Sequence, residues 1–194
     1  MVGTDIRHMY SVNGYLNDSW FHRSFWTYAT AYEGGTGGFG RTGNQNHSGR
    51  IMAADDSHLS SFGRDRYGWG SAFIYQLYKA PLAEEKTTRT WSVDIPVLPQ
   101  SIVKAGDRLL VTGAEKLYVE KEIIHRLPVP DAGKKIADQA RKWDTAAILL
   151  VIDPADGKVL ENVKLDFAPV WDGVAVAKES LFVSGADGVL YCLK

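Results

Sequence analysis

The residues able to do metal or acid–base chemistry are scattered through this sequence. The histidines are His8, His22, His47, His58 and His125. No two of them are three or four residues apart, the spacing that places two metal ligands on one face of a helix. The sequence also lacks a G-x-S-x-G segment, in which a serine nucleophile occupies a tight strand-to-helix turn. These observations predict no metal site and favour a non-catalytic role.

One glycine-rich segment formally matches a nucleotide-binding motif. Residues 35–40 read G-T-G-G-F-G, which fits G-x-G-x-x-G. That motif requires a strand before it and a helix after it, so that phosphates meet the helix N-terminus. The next residues, R-T-G-N-Q-N, have no helical periodicity. We therefore interpret residues 33–49 as a glycine-rich loop and predict no dinucleotide site there.

The single cysteine, Cys192, limits the redox and metal chemistry of the chain. It lies in an apolar run, 189–193, which predicts a strand. One cysteine cannot form an internal disulfide, and it excludes most structural zinc sites. We expect a buried thiol without a chemical role.

Aromatic and cationic residues near the N-terminal end predict a binding surface. A strand over residues 20–28 would place Trp20, His22 and Trp26 on one face, because side chains alternate with a period of two. Aromatic and guanidinium groups beside a loop suit recognition. The predicted binding residues are Trp20, His22, Arg23, Trp26, Arg41, Asn44 and His47. The alternative is a strand packed between neighbouring sheets, with a purely structural role.

Apolar runs separated by turn residues predict the elements that would carry such a surface. In residues 147–194 the runs are separated by Asp156-Gly157, Asp172-Gly173, Lys178-Glu179 and Asp187-Gly188. Asp-Gly pairs between such runs are typical of hairpins, so the segment predicts an antiparallel meander. The predicted strands are 108–112, 147–153, 158–165, 173–177, 181–184 and 188–193. An apolar stripe of Ile136, Ala140 and Trp143 predicts a helix over 131–143.

The chain also contains an internal repeat. Residues 91–117 align without a gap on residues 163–189, so that Gly113 matches Gly185, 72 residues later. Residues 50–59 are a looser third copy. Small β-units that repeat are typical of propellers, solenoids and arrays, since no single unit buries both of its faces.

Two segments carry a resemblance to a known family. Residues 153–160, D-P-A-D-G-K-V-L, and 181–193, L-F-V-S-G-A-D-G-V-L-Y-C-L, resemble the blade repeat of PQQ-type (quinoprotein-like) β-propellers. The chain departs from that repeat at Asp156, where Thr is usual, and at Glu161, where a docking Trp is expected. The resemblance implies an all-β fold, a partial propeller of about two to three four-stranded antiparallel blades with one short inserted helix. The implied blades are residues 20–94, 101–165 and 173–194, the last incomplete, with an insertion at 120–143, all in one domain.

The resemblance implies a fold rather than an activity. Quinoprotein enzymes hold PQQ with adjacent cysteines and a calcium shell, and one cysteine cannot form that pair, so we expect neither PQQ nor calcium in this chain. We predict a non-catalytic platform that binds a protein or polymer partner. The alternative is a fragment of a PQQ-dependent dehydrogenase whose cofactor site lies in missing blades. An extracytoplasmic location is expected only if a longer parent protein carries a signal peptide.

Composition limits the classes of partner that the chain is expected to bind. The chain has 194 residues, is 45% hydrophobic, and has a net charge of −1. Without a basic field, nucleic acid is not an expected partner, and no apolar run reaches the length of a membrane span. The repeat alignment leaves the strand ending near Lys194 without its outer neighbour. An open apolar edge invites pairing, so we expect the chain alone to associate with further blades or with itself.

Overall fold

The fold is described from a computed structural model, which covers residues 2–11, 26–32, 46–64, 74–83, 88–117, 132–143 and 145–194. Within these residues, strands form four antiparallel sheets and one segment is helical, which confirms the all-β class. The chain divides into two compact units, Met1–Val93 and Asp94–Lys194. Each unit contains two of the sheets.

The first unit contains a three-stranded and a four-stranded sheet. The first sheet consists of β1 (Val2–Ser11), β2 (Trp26–Tyr32) and β3 (His47–Gly49), paired in that order. The second sheet consists of β4 (Ile51–Ala54), β5 (His58–Arg64), β6 (Tyr75–Pro81) and β7 (Trp91–Val93). A small core of Leu59, Tyr78 and Ala80 packs against Tyr28 of β2 and Leu82.

The second unit contains the repeat predicted from the sequence. The third sheet consists of β8 (Val97–Ala105), β9 (Arg108–Glu115), β10 (Ala147–Ile152) and β11 (Val159–Leu165). The fourth sheet consists of β12 (Pro169–Ala177), β13 (Ser180–Gly185) and β14 (Leu190–Leu193). Helix α1 (Ala132–Trp143) lies between β9 and β10 in sequence. Residues 147–194 were predicted to form one antiparallel meander; the strands are antiparallel, but β10 and β11 belong to the third sheet and β12 to β14 form the fourth, with no pairing between β11 and β12 in this described stretch.

The third and fourth sheets share one pairing register. Ile102 of β8 pairs with Val111 of β9, and the residues 72 positions later, Val174 and Val183, pair in the same way across β12 and β13. The register continues to the hairpin ends, Ala105 with Arg108 and Ala177 with Ser180. The 72-residue repeat read from the sequence is therefore present in the backbone pairing of the two hairpins.

The repeat extends to the third strand of each sheet and stops there. Leu149 of β10 pairs with Thr112, and Leu190 of β14 pairs with Ser184, which is the repeat equivalent of Thr112. In the third sheet, β10 also pairs with β11 on its far side. Among the described residues, β14 has no such second neighbour.

The core of the second unit lies between the third and fourth sheets. Ala147, Leu149 and Leu165 of the third sheet pack against Leu181 and Val183 of the fourth. Partly buried apolar side chains from β9, β12, β14 and the segment between β11 and β12 border this cluster: Leu110, Phe167, Val174, Tyr191 and Leu193. One face of the third sheet is therefore covered by the fourth.

The turns between these strands use positive φ angles where the sequence predicted tight turns. Gly157 and Gly188 have φ of 80° and 83°, as expected for Asp-Gly turns. Asp172-Gly173 was predicted to separate strands. The structure contradicts this, because the pair lies inside β12, at an irregularity in the pairing between Pro169 and Val174, with Asp172 at a φ of 55°. A local bulge needs the same positive φ as a turn, so the dipeptide alone does not distinguish them.

Helix α1 forms where the sequence predicted it, but another face is buried. Ile136 is 50% exposed and Ala140 is exposed, whereas Gln139 is only 5% exposed. The Gln139 side chain accepts a hydrogen bond from the backbone N–H of Leu117 at 2.8 Å and donates one to the carbonyl of Glu115 at 2.9 Å. A glutamine amide thus attaches the helix to the end of β9. Of the predicted apolar stripe, Trp143 does make a contact, because its ring stacks on Trp171 of β12 with a centroid distance of 6.4 Å, whereas Ile136 and Ala140 face solvent.

Strand β6 is not among the strands predicted from the sequence. β5 continues to Arg64, and β6 occupies Tyr75–Pro81. The seven residues of β6 include Gln76, Lys79 and Pro81, so the alternation typical of a half-buried strand is weak. Pairing with β5 along its whole length forms the strand instead.

Candidate binding surface

The structure describes two of the seven residues predicted to bind a partner. Trp26, in β2, is 42% exposed. His47, in β3, is 2% exposed and pairs with Tyr28 of β2. The other five lie outside the described residues: Trp20, His22, Arg23, Arg41 and Asn44. The first sheet thus places Trp26 at the surface and His47 in the interior.

His47 belongs to a buried polar cluster that joins the two sheets of the first unit. The hydroxyls of Thr27 and Ser48 are 2.7 Å apart, and both residues are almost fully buried. Tyr78 of β6 donates its phenolic hydrogen to the backbone carbonyl of Ser48 at 3.0 Å. Because the hydroxyls of Thr27, Ser48 and Tyr78 have partners out of contact with water, these three groups stabilise the fold around His47.

Arg89 covers the ring of Tyr78 and ties three strands together. Its guanidinium lies 4.0 Å from the centroid of the Tyr78 ring, a cation–π contact. The same group donates hydrogen bonds to the carbonyl of Arg64 in β5 and to the hydroxyl of Ser92 in β7. Burial raises the pKa of Tyr78 to about 12, against an opposing effect of the Arg89 charge. Tyr78 is therefore protonated at neutral pH and is not a catalytic base.

The far face of the fourth sheet exposes apolar side chains. This far face comprises Ala175, Phe182, Ser184, Leu190 and Cys192, on the side opposite Leu181 and Val183, because side chains alternate along a strand. Leu190 is 63% exposed, and Ala175 and Cys192 are exposed. The expectation of a buried Cys192 is therefore wrong: the thiol is exposed, and none of the described sheets covers the face on which it lies.

The repeat shows what this far face lacks. Leu149, the equivalent of Leu190, is 6% exposed, and Thr112, the equivalent of Ser184, is 1% exposed. Leu149 is buried because the fourth sheet packs over it. The same repeat positions are thus covered in the third sheet and open in the fourth.

The outer edge of β14 is open as well. Outer strands can resist unwanted pairing by being short, by carrying charges or by bulging. β7 has three residues, and β11 carries Glu161 and Lys164 and pairs irregularly with the end of β10. β14 reads L-Y-C-L, four residues without a charge. β14 therefore lacks the charges and the irregular pairing that protect β11.

Contacts at the base of β14 hold the strand in a defined position. The Tyr191 ring stacks on Phe167 with a centroid distance of 3.6 Å and an interplanar angle of 5°. Its hydroxyl donates a hydrogen bond to the Asp187 carboxylate at 2.6 Å. This bond lowers the pKa of Asp187 and raises the pKa of Tyr191, because it is made to the ionised carboxylate and by the neutral phenol. A fixed strand with open hydrogen-bonding groups is suited to binding another strand.

A small cleft lies where α1 meets the third sheet. Its volume is about 110 Å³, and its lining includes Glu115, Lys142, Lys164 and Asp166. The Lys142 ammonium lies 2.6 Å from a Glu115 carboxylate oxygen, and its hydrogen bond lowers the pKa of Glu115. Two positive and two negative groups balance within the cleft, so its electrostatics select neither an anion nor a cation.

The described residues contain no group of three or more His, Cys, Asp or Glu side chains arranged to hold a metal ion. In the same part of the chain, no helix has both the length and the apolar character needed to cross a membrane. No protein-family model matches the chain, and no curated protein is similar to it in sequence.

Proposed function

We propose that this chain is a non-catalytic segment of a PQQ-like β-propeller that acts as a binding platform for a protein partner. The observation that carries the proposal is the contrast between equivalent repeat positions. Leu149 is covered by the next sheet, whereas Leu190 is open. A surface built like an interface between two sheets, but with one sheet absent, is suited to binding a protein.

Two features of the second unit support a propeller repeat. The third sheet is a four-stranded antiparallel meander, the unit from which propeller blades are made. The fourth sheet repeats its first three strands in the same register and packs on its face. Units of this kind stack, and each buries the apolar face of its neighbour.

Covering the far face would stabilise a complex. Burial of an apolar side chain such as Leu or Phe contributes roughly 1.5 to 3 kcal/mol when the residue passes from exposed to buried. Leu190 at 63% exposure offers most of that gain, and Phe182 beside it is half-buried. A few central residues commonly account for most of the affinity of an interface, while the surrounding contacts exclude water.

The proposal is tested by site-specific photo-cross-linking followed by reconstitution. A cross-linking amino acid replaces Ala175 on the far face, and Glu161 on exposed β11 serves as the control position. The proteins captured at each position in cells are identified, and the best candidate is purified. Its binding is then measured with Leu190→Lys and with Leu160→Lys, a matched control in β11 where the leucine is 41% exposed.

We expect a protein that cross-links at position 175 and not at 161, and that binds Leu190→Lys at least tenfold more weakly than the wild type. Leu160→Lys should bind like the wild type. Equal capture at both positions, or equal affinity for the two variants, would contradict a binding function for the far face.

A further inference from the structure

Building on the proposed function, on which this step rests, we infer that the outer edge of β14 binds an extended peptide segment of the partner. The segment adds to the fourth sheet as an antiparallel fourth strand. It occupies beside β14 the position that β11 occupies beside β10 in the third sheet. The partner is thus recognised through backbone hydrogen bonds, with side chains setting the register.

The backbone of β14 is prepared for this pairing. Alternate N–H and C=O groups of a strand point to opposite sides, so one neighbour satisfies only half of them. β14 pairs with β13 from Leu190 to Leu193, opposite Ser184 to Leu181. β10 pairs with β9 in the same way and directs its other groups to β11. The equivalent groups of β14 point to an edge that no described strand occupies.

The third sheet also indicates the chemistry of the segment. Val163 lies opposite Leu149, and Val159 lies opposite Ile152. Between them, Asn162 and Glu161 lie opposite Leu150 and Val151. If the same pattern applies beside β14, the peptide segment carries apolar residues opposite Leu190 and Leu193 and polar residues opposite Tyr191 and Cys192. It has no proline at the bonded positions, because proline cannot donate to the ladder.

A second copy of β14 fits this edge less well. Directly opposite residues of an antiparallel pair point to the same face, so a two-fold axis must place one residue opposite its own copy. With Tyr191 at the centre, Leu190 lies opposite Cys192 of the copy, and Leu193 falls outside the four residues of β14. A symmetric pair therefore cannot use the whole strand, whereas an unrelated peptide can.

The probe for this site is a synthetic peptide with the sequence of β11, V-L-E-N-V-K-L, capped at both ends. The control peptide has proline in place of the central asparagine. Amide hydrogen exchange of the full chain is followed without peptide and with each peptide at millimolar concentration. Sedimentation measured on the same samples reports the oligomeric state.

We expect the β11 peptide to slow exchange in Leu190–Leu193 at least tenfold, and the proline peptide to have no effect. The inference is overturned if neither peptide protects β14, if both protect it equally, or if β14 is already protected in a dimer that the peptide does not disperse. Binding of the cross-linked partner to the far face, measured separately, distinguishes these failures from a failure of the proposed function. If binding of the partner still depends on Leu190 while no peptide protects β14, the proposed function stands and only the added strand is refuted.

Discussion

Leu149 and Leu190 occupy the same place in two successive sheets, but Leu149 is 6% exposed and Leu190 is 63% exposed. Each lies in the third repeat strand, opposite the equivalent residues Thr112 and Ser184 respectively. The difference arises from packing. The fourth sheet covers the face of the third sheet on which Leu149 lies, whereas no described sheet covers the far face of the fourth sheet, on which Leu190 lies. This asymmetry links the repeat to the proposed binding function.

The first prediction concerns association of the chain by itself. An uncharged open edge beside an apolar face promotes pairing between chains, so the purified protein should be oligomeric at micromolar concentration. Cys192→Lys places a charge at this edge and should shift the protein toward monomer in sedimentation velocity. Lys158→Ala, at an exposed site in another part of the chain, is the control. A sharp monomer peak for the wild type at this concentration, with cooperative unfolding, would contradict self-association of the chain.

The second prediction concerns the hairpin between β12 and β13. Lys178 and Glu179 have φ of 48° and 61°, a region that residues with side chains seldom adopt. Because Asn-Gly relieves this strain, replacing the pair should stabilise the chain by about 1 kcal/mol in urea unfolding.

The equivalent hairpin supplies the control for that change. Gly106 has a φ of 56°, and an added Cβ would meet no atom within 4 Å. Gly106→Ala should therefore destabilise the chain by about 1 kcal/mol through backbone strain alone. If the Asn-Gly variant lost stability, the turn geometry described for residues 178–179 would be wrong.

The third prediction concerns the attachment of α1. Gln139→Ala leaves the Leu117 N–H and the Glu115 carbonyl without their side-chain partner, which should cost about 2 kcal/mol. Ile136→Ala changes a half-exposed residue of the same helix and should cost less than about 0.5 kcal/mol. Thermal unfolding of both variants tests the contact face. The reverse order of the two losses would restore the apolar stripe as the packed face.

The fourth prediction concerns alkaline stability. The pKa of Tyr78 is raised from 10.0 to about 12 in the folded chain, so folding opposes its ionisation. Its contribution is fully present below pH 10 and is lost as the pH rises toward 12, because only the unfolded chain ionises readily there. Tyr78→Phe should lower stability by about 1 kcal/mol at pH 8 through loss of the bond to Ser48. The variant should then lose less stability than the wild type above pH 10, as measured by urea unfolding at each pH; parallel curves would refute a buried phenol.

The sequence predicted the second unit better than the first because its signals are local. Dipeptides such as Asp187-Gly188 mark turns. Because the repeat aligns without a gap, the strand pairing of one hairpin predicts the pairing of the other. Strand β6 was missed because its pairing with β5, rather than its own alternation, defines it. The buried face of α1 was missed because Gln139 attaches through an amide, which a hydrophobic pattern does not detect.

The candidate surface was harder to predict than the fold. Exposure depends on which sheets cover a strand, and the alternation around Cys192 is the same whether a neighbour is present or not. The apolar run therefore suggested burial, whereas the structure leaves the thiol at the surface. Likewise, nothing local to His47 indicates that Thr27, Ser48 and Tyr78 form a buried cluster beside it. The repeat comparison, which needs the pairing of both sheets, shows the open face directly.

The most direct test of an open fourth sheet is amide hydrogen exchange of β10 and β14 in the same sample of the chain, kept dilute enough to be monomeric. β10 is paired on both sides and β14 on one, so the outward amides of Leu190–Leu193 should exchange at least a hundredfold faster than the equivalent amides of Leu149–Ile152. Addition of the purified partner should remove most of that difference. Equal protection of the two strands in the monomer would contradict the account, because β14 would then already be paired.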